Sequence, residues 1–348
     1  MATYTIFDDA LASITAAGPD LRNGLTNHAP MAIEALCAMG REGAVMAWLD
    51  TYRAGMQPWP ASHQPIDRTH WREALGQVER VADWRAFFAH ELTEAPWREV
   101  LDRWVAHFAP AICASAMHGV LRVGHITRTL AVAETPIRLA ELGDGLAYWA
   151  ATYQALPTDV SAQSVATPPR EAIHKVTIVP PAQRKFTGTI VASLEQLDEF
   201  PAFAPVISLA DLDGDPSTVL SHLTETFARV YLANARDVLS TIVFIHGVTG
   251  VVALRSLAPQ LRDPTIHEAL RYAWQASCGL YAAFGQRPAP EYEIEPPGEA
   301  REALIDMAVA NGDEHAIKFT EACLREHALN PSPVYLSAAR HALDVLGR

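Results

Sequence analysis

Apolar residues recur at spacings of three and four along most of the chain, whereas the strict alternation typical of half-buried strands is scarce. This pattern predicts five helical runs in the N-terminal part, covering 28–39, 43–55, 71–109, 112–132 and 136–153. Asn27 is the predicted N-cap of the first run and Gly40 ends it. Pro96 breaks the third run, because proline cannot continue a helix interior, and Pro136 opens the last.

The pattern changes between about residues 156 and 205, where seven prolines exclude long helices: Pro157, Pro168, Pro169, Pro180, Pro181, Pro201 and Pro205. The best strand candidates of the chain, 176–178 and 187–192, lie here, so we expect a small hairpin or an extended excursion. Helical periodicity returns at about residue 217 and continues to the end.

The sequence therefore predicts a mainly α protein, a multi-helix bundle of two helical halves, 1–155 and 217–348. A Pro-rich, partly extended segment with short strands, 156–216, connects them. We expect the halves to form one composite domain with the functional site between them, since 348 residues can bury a large core without disulfides or structural zinc.

Charge and cysteine usage narrow the class of protein. The chain has 27 Lys and Arg against 40 Asp and Glu, a net charge of −13, which argues against a nucleic-acid or anionic-membrane partner. The four cysteines are widely separated and form no CxxC pair, which favours a reducing compartment. Asp8 and Asp9 stand where a secretory signal would have a basic start.

The longest nearly uncharged run, 238–254, falls short of the ~20 residues that a membrane span needs. His246 interrupts it, together with Gly247 and Gly250. We therefore interpret this run as a buried core helix and expect a cytoplasmic protein with no membrane partner.

The signature motifs of several enzyme classes are absent, including the GxGxxG and GxxxxGK[ST] loops, the GxSxG elbow and the HExxH helix. The candidate chemistry lies in histidines. Nine of the 14 stand among polar residues or in predicted loops, where a solvated ring is expected. The other five stand in apolar segments: His28, His118, His125, His246 and His315.

A buried imidazole has two ring nitrogens that need partners, and a missing partner costs about 1–3 kcal/mol. A hydrogen bond to a carbonyl or carboxylate solves the problem for one core histidine. A metal ion is the usual partner of several neutral imidazoles at one point. His118 and His125 are seven residues apart, ~10.5 Å along a helix axis, so one can bind a metal while the other orients a ligand.

Lys318 follows His315 by three residues, so the two side chains can converge. A protonated amine cannot bind a cation, so Lys318 could serve as a ligand only after losing its proton or after carbamylation. The alternative is a surface salt bridge with Glu314 or Glu321.

Four segments together resemble the questin oxidase family. The pattern NHxPMAxEAL covers 27–36, HGxxRxxH covers 118–125, HGVTGxxALR covers 246–255 and HxIKxxEA covers 315–322. Each motif alone is weak, whereas the ordered set of four is specific and spans most of the chain.

The resemblance implies a helical non-haem iron monooxygenase. Fungal members act in aromatic polyketide pathways, where a Baeyer–Villiger-like oxygen insertion opens the central ring of an anthraquinone. In the family, iron is held by several histidines and an N-carboxylated lysine. Carried over to this chain, the ligands are His28, His118, His246 and Lys318, with either His125 or His315 as the fourth histidine.

Neutral imidazoles and one carboxylate-like donor suit Fe(II), provided that one position stays open. The expected partners are O2 and a small aromatic substrate, and a second electron pair has to come from outside, from NADPH or through a separate reductase. Arg122, one turn from His118, is the candidate catalytic residue that orients an anionic phenolate or carboxylate. A salt bridge to a neighbouring helix is the alternative for Arg122.

Two other functions remain open from the sequence. The first is a metal-dependent hydrolase with zinc or manganese in the same site, although two-metal hydrolases usually require more carboxylates than these motifs offer. The second is a non-enzymatic helical binding protein in which the histidines are core residues.

Overall fold

The computed structural model describes residues 4–161, 165–291 and 293–347. Within these ranges the chain is 67% helical, with 15 α-helices and one small sheet, which confirms the predicted mainly-α fold. The α-helices of the N-terminal part are α1 Thr5–Ala12, α2 Ala29–Ala38, α3 Glu42–Tyr52, α4 Val81–Glu94, α5 Trp97–Phe108, α6 His118–Leu130 and α7 Pro136–Ala151.

Two short helices lie in the Pro-rich part, and six longer ones follow. They are α8 Pro169–Ala172, α9 Ile190–Leu194, α10 Pro216–Asn234, α11 Val238–Leu257, α12 Asp263–Phe284, α13 Arg301–Asn311, α14 Glu314–Leu329 and α15 Pro333–Leu346. Single 3₁₀ turns connect many of them.

The two strands are not where the sequence pattern placed them. β1 Ala17–Leu21 pairs antiparallel with β2 Met56–Pro58 near the N-terminus. The predicted strands were wrong: 176–178 is irregular, and 187–192 contains the start of α9. The Thr189 hydroxyl accepts the N–H of Ala192, so this β-branched residue is a helix cap and not part of a strand.

The predicted break near Pro96 is confirmed, because α4 ends at Glu94 and α5 begins at Trp97. The predicted helix over 112–132 was wrong at its start, since α6 begins only at His118. Ser115, Ala116 and Met117 have φ angles of 49°, 54° and 70°, in the left-handed region that non-glycine residues rarely adopt. This turn places His118 at the first position of α6.

Four helices surround the middle of the molecule. α2 packs on α6, α6 on α11, α11 on α14, and α14 on α2, so each of the two N-terminal helices packs on one of the two C-terminal helices. A Cβ added to Gly124 of α6 would lie 2.8 Å from the Cβ of Ala253 in α11. The absence of a side chain at Gly124 therefore permits the close approach of α6 and α11.

α11 begins with a capping box formed by Asp237 and Ser240. Among the described residues, the stretch Val238–Gln260 is long and apolar enough to cross a membrane, yet 72% of its apolar window is buried inside the protein. That burial is characteristic of a core helix, as its sequence predicts.

Candidate metal centre

Four of the five singled-out histidines meet at the centre of the ring formed by α2, α6, α11 and α14. His28 is the N-cap of α2, His118 is the first residue of α6, His246 lies in the middle of α11, and His315 lies in the first turn of α14. All four are buried. The ring centroids are 4.6 Å apart for His28 and His118, 4.6 Å for His118 and His246, and 4.7 Å for His28 and His315.

Hydrogen bonds to the backbone place the ring proton of His118 and of His246 on Nδ1. His118 Nδ1 donates to the carbonyl of Ser115, and His246 Nδ1 donates to the carbonyl of Ile242 at 2.7 Å. In a neutral imidazole the proton on Nδ1 leaves Nε2 as a bare lone pair. The two Nε2 atoms nevertheless lie 3.1 Å apart, and His28 Nε2 lies 2.6 Å from His118 Nε2.

Converging lone pairs repel each other unless a cation lies between them. Nitrogens bound to one metal ion at about 2.1 Å lie on the order of 3 Å apart, which is the spacing seen here. His28 Nδ1 and His315 Nδ1 are buried without a hydrogen-bond partner in the described chain. Such a concentration of unsatisfied imidazole nitrogens is costly in a core, and these residues therefore fit a metal ion.

The electrostatics favour the neutral form of His28, His118 and His246. Burial lowers the pKa of His28, His118 and His246 well below its ordinary value, and the positive charges of Lys318 and of the neighbouring imidazoles lower it further. Because metal binding requires a deprotonated nitrogen, rings that stay neutral at physiological pH are ready to bind.

Lys318 lies on α14 one turn after His315, with only 4% of the residue exposed. The alternative of a surface salt bridge with Glu314 or Glu321 does not hold, since no carboxylate of the described residues lies within 4.0 Å of its amine. Burial lowers the pKa of Lys318 from 10.5 to about 8, although Glu314 and Asp313 act in the opposite direction. The neutral amine is therefore accessible near physiological pH.

His125 is not brought together with the other four rings. Its Nδ1 lies 2.6 Å from Oε2 of Glu34, a fully buried residue of α2. Arg128 binds the same carboxylate and also bonds Glu321 of α14 at 2.5 Å. Although burial acts to raise it, Arg128 and His125 hold the pKa of Glu34 well below its usual range. His125 thus belongs to an ionic network beside the cluster, while His315 lies in the cluster itself.

Two further residues contact His28, and the sequence analysis did not place Glu314 among the site residues. Glu314 Oε1 lies 3.4 Å from His28 Nδ1, and ligand atoms of His28, Glu314 and His315 all lie within 4.8 Å of one another. The Tyr52 hydroxyl accepts the backbone N–H of His28 at 2.9 Å. Glu314 directly precedes His315, and that adjacency was the available signal.

Arg122, the candidate catalytic residue, forms a buried bidentate ion pair with Glu141 of α7, at 2.6 Å and 2.8 Å. This is the alternative that the sequence left open, a salt bridge to a neighbouring helix. The guanidinium that was expected to orient substrate is therefore already paired.

An Arg122→Met variant is expected to lower the free energy of unfolding by about 3 kcal/mol, because it leaves the buried Glu141 carboxylate without its partner. Adding Glu141→Leu should restore most of that loss. Denaturant titration of the parent, the single variant and the double variant measures both effects. Unchanged stability together with lost activity in Arg122→Met would instead support a role toward substrate.

The sequence of the chain matches one protein family. A comparison with curated proteins found no significant match. A family model described as questin oxidase-like matches residues 25–323, which contain all four clustered histidines and Lys318. With about six-sevenths of its length matched, the chain belongs to the questin oxidase-like family, whose name indicates an oxidase.

Proposed function

We propose that the protein is a non-haem iron-dependent monooxygenase that inserts one oxygen atom beside a carbonyl of an aromatic, quinone-type substrate. The observation that carries this proposal is the convergence of three Nε2 atoms, from His28, His118 and His246, at 2.6 Å and 3.1 Å. Membership in the questin oxidase-like family supports the oxidative chemistry.

In this proposal His28, His118, His246, His315 and Lys318 hold the iron. Four neutral imidazoles form a donor set suited to Fe(II), and Lys318 would add an oxygen ligand after its neutral amine takes up CO2. When bound, the iron supplies the activation of O2 that closed-shell organic molecules cannot achieve alone. His125 supports the site from outside through Glu34 and Arg128.

The chain's own residues orient the donors. The carbonyls of Ser115 and Ile242 fix the rings of His118 and His246, so both present Nε2 to the same point. The left-handed turn before α6 is held by hydroxyl hydrogen bonds, since Ser115 Oγ lies 2.7 Å from the hydroxyl of Tyr148. Preorganised donors need little rearrangement when the ion or the substrate binds.

The proposed reaction requires an external reductant. One atom of O2 enters the substrate between the carbonyl carbon and a ring carbon, and the other leaves as water after uptake of two electrons and two protons. The sequence contains no GxGxxG dinucleotide loop, so we propose that NADPH serves as an external donor, directly or through a reductase. The cytoplasmic location remains a prediction that agrees with a supply of NADPH.

Metal analysis of protein purified without oxygen tests the proposal. We expect about one iron per chain, and NADPH-dependent incorporation of a single ¹⁸O atom from ¹⁸O2 into an anthraquinone substrate. Zinc with hydrolytic activity would support the metal-dependent hydrolase instead. Folded protein that binds no metal even after reconstitution would leave a binding protein with core histidines.

A further inference from the structure

The three imidazoles that converge through Nε2 are held in different ways at Nδ1. His246 Nδ1 donates to Ile242, four residues earlier on α11, and His118 Nδ1 donates to Ser115, three residues earlier. Each bond uses a carbonyl that precedes the histidine in its own chain segment. His28 is the N-cap of α2, and no backbone carbonyl of the described residues accepts a hydrogen bond from its Nδ1.

The group that faces His28 Nδ1 is a carboxylate from another helix. Glu314 Oε1 lies 3.4 Å from this nitrogen, which is buried and has no hydrogen bond within the described residues. The adjacent Asp313 has other partners, because it caps α14 by accepting the N–H groups of His315 and Ala316. Glu314 is not used for capping and is therefore free to serve His28.

We propose that Glu314 is a positioning residue that accepts the Nδ1 proton of His28 and thereby directs the Nε2 lone pair of His28 toward the metal. A metal-bound histidine commonly donates its second ring N–H to a carboxylate or carbonyl, which fixes the tautomer and the orientation of the ring. The inference rests on the proposed metal centre. It also connects the two halves of the chain, since Glu314 lies on α14 and His28 on α2.

Titration of the metal-free protein with Co(II), a stable substitute for Fe(II), tests this role. The variants are Glu314→Gln and Glu314→Ala. Glu302→Gln is the matched control, because Glu302 is an exposed glutamate that pairs only with Arg41 among the described residues. We expect Glu314→Ala to weaken Co(II) binding by about 10- to 100-fold. Glu314→Gln should weaken it less, because its amide oxygen still accepts the proton. Glu302→Gln should match the parent.

The visible spectrum at saturating Co(II) separates a positioning residue from a direct ligand. A positioning role predicts the same saturated spectrum in the parent and in both variants, with thermal melting confirming that each variant is folded. A changed spectrum would make Glu314 a ligand and overturn the inference. Equal affinity of Glu314→Ala and the parent would overturn it as well, while the metal centre would stand. A parent that binds no Co(II) would overturn both.

Discussion

A His246→Gln variant is expected to lose iron binding, and the activity with it, by more than about 100-fold. Changes in groups that only support a ligand already cost about 10- to 100-fold in metal affinity, and loss of a ligand should cost more. His246 presents Nε2 to the point shared with His118, 3.1 Å away, and a glutamine amide reproduces neither its position nor its lone pair. Metal analysis and equilibrium dialysis measure the loss.

His222→Gln is the matched control for that experiment, because His222 is an exposed histidine of the neighbouring helix α10. Circular dichroism should show folded protein for both variants, since α11 keeps its capping box and apolar contacts. If His246→Gln retains iron and activity while folded, the assignment of His246 as a ligand is wrong.

A Lys318→Met variant is expected to gain stability and lose iron. The pKa of Lys318 is lowered from 10.5 to about 8, so the folded state binds fewer protons than the unfolded state in the range between these values. The cost of burying the charged amine is complete below pH 8, shrinks between pH 8 and 10.5, and disappears above. At pH 7 that cost is about 3 kcal/mol, which the apolar methionine would remove.

Denaturant titrations of metal-free protein in CO2-free buffer measure this gain, which should decrease as the pH rises toward 10.5. Lys175→Met, which changes an exposed lysine, should show no such gain. In the same Lys318→Met protein the iron content should fall at least tenfold, since the variant cannot provide a carbamate. If Lys318→Met binds as much iron per chain as the parent, Lys318 is not a ligand.

These two variants separate burial from metal binding. A buried histidine or lysine that binds no metal lowers the free energy of unfolding, so replacing it should not reduce activity. Opposite effects of Lys318→Met on stability and on iron would show that the chain tolerates a costly buried amine for its function.

Much of the fold could be predicted from local sequence. The break at Pro96 and the start of α7 at Pro136 each depend on a single proline ring. The burial of α11 depends on its apolar composition. The apolar settings of His28, His118, His246 and His315 were also visible in the sequence, because burial follows from the neighbours along one helix.

Long-range geometry decided the rest. The spacing of seven residues places His118 and His125 on one face of α6, yet only the packing of α2 shows that His125 meets Glu34. The strained turn at 115–117 overrides the helical pattern before His118, because hydroxyl groups from Thr26 and Tyr148 hold it.

The sequence by itself determined most of the long helices and the apolar settings of the clustered histidines, because both depend on residue type and on neighbours within a few positions. Its four ordered motifs also carried the resemblance to the family. Only the tertiary structure decided that His315 and not His125 joins the cluster, that Glu314 faces His28, and that Arg122 is paired with Glu141. Sequence spacing gives the angle of a side chain around its own helix. The packing of four helices, with residues from 28 to 318, determines what that side chain meets.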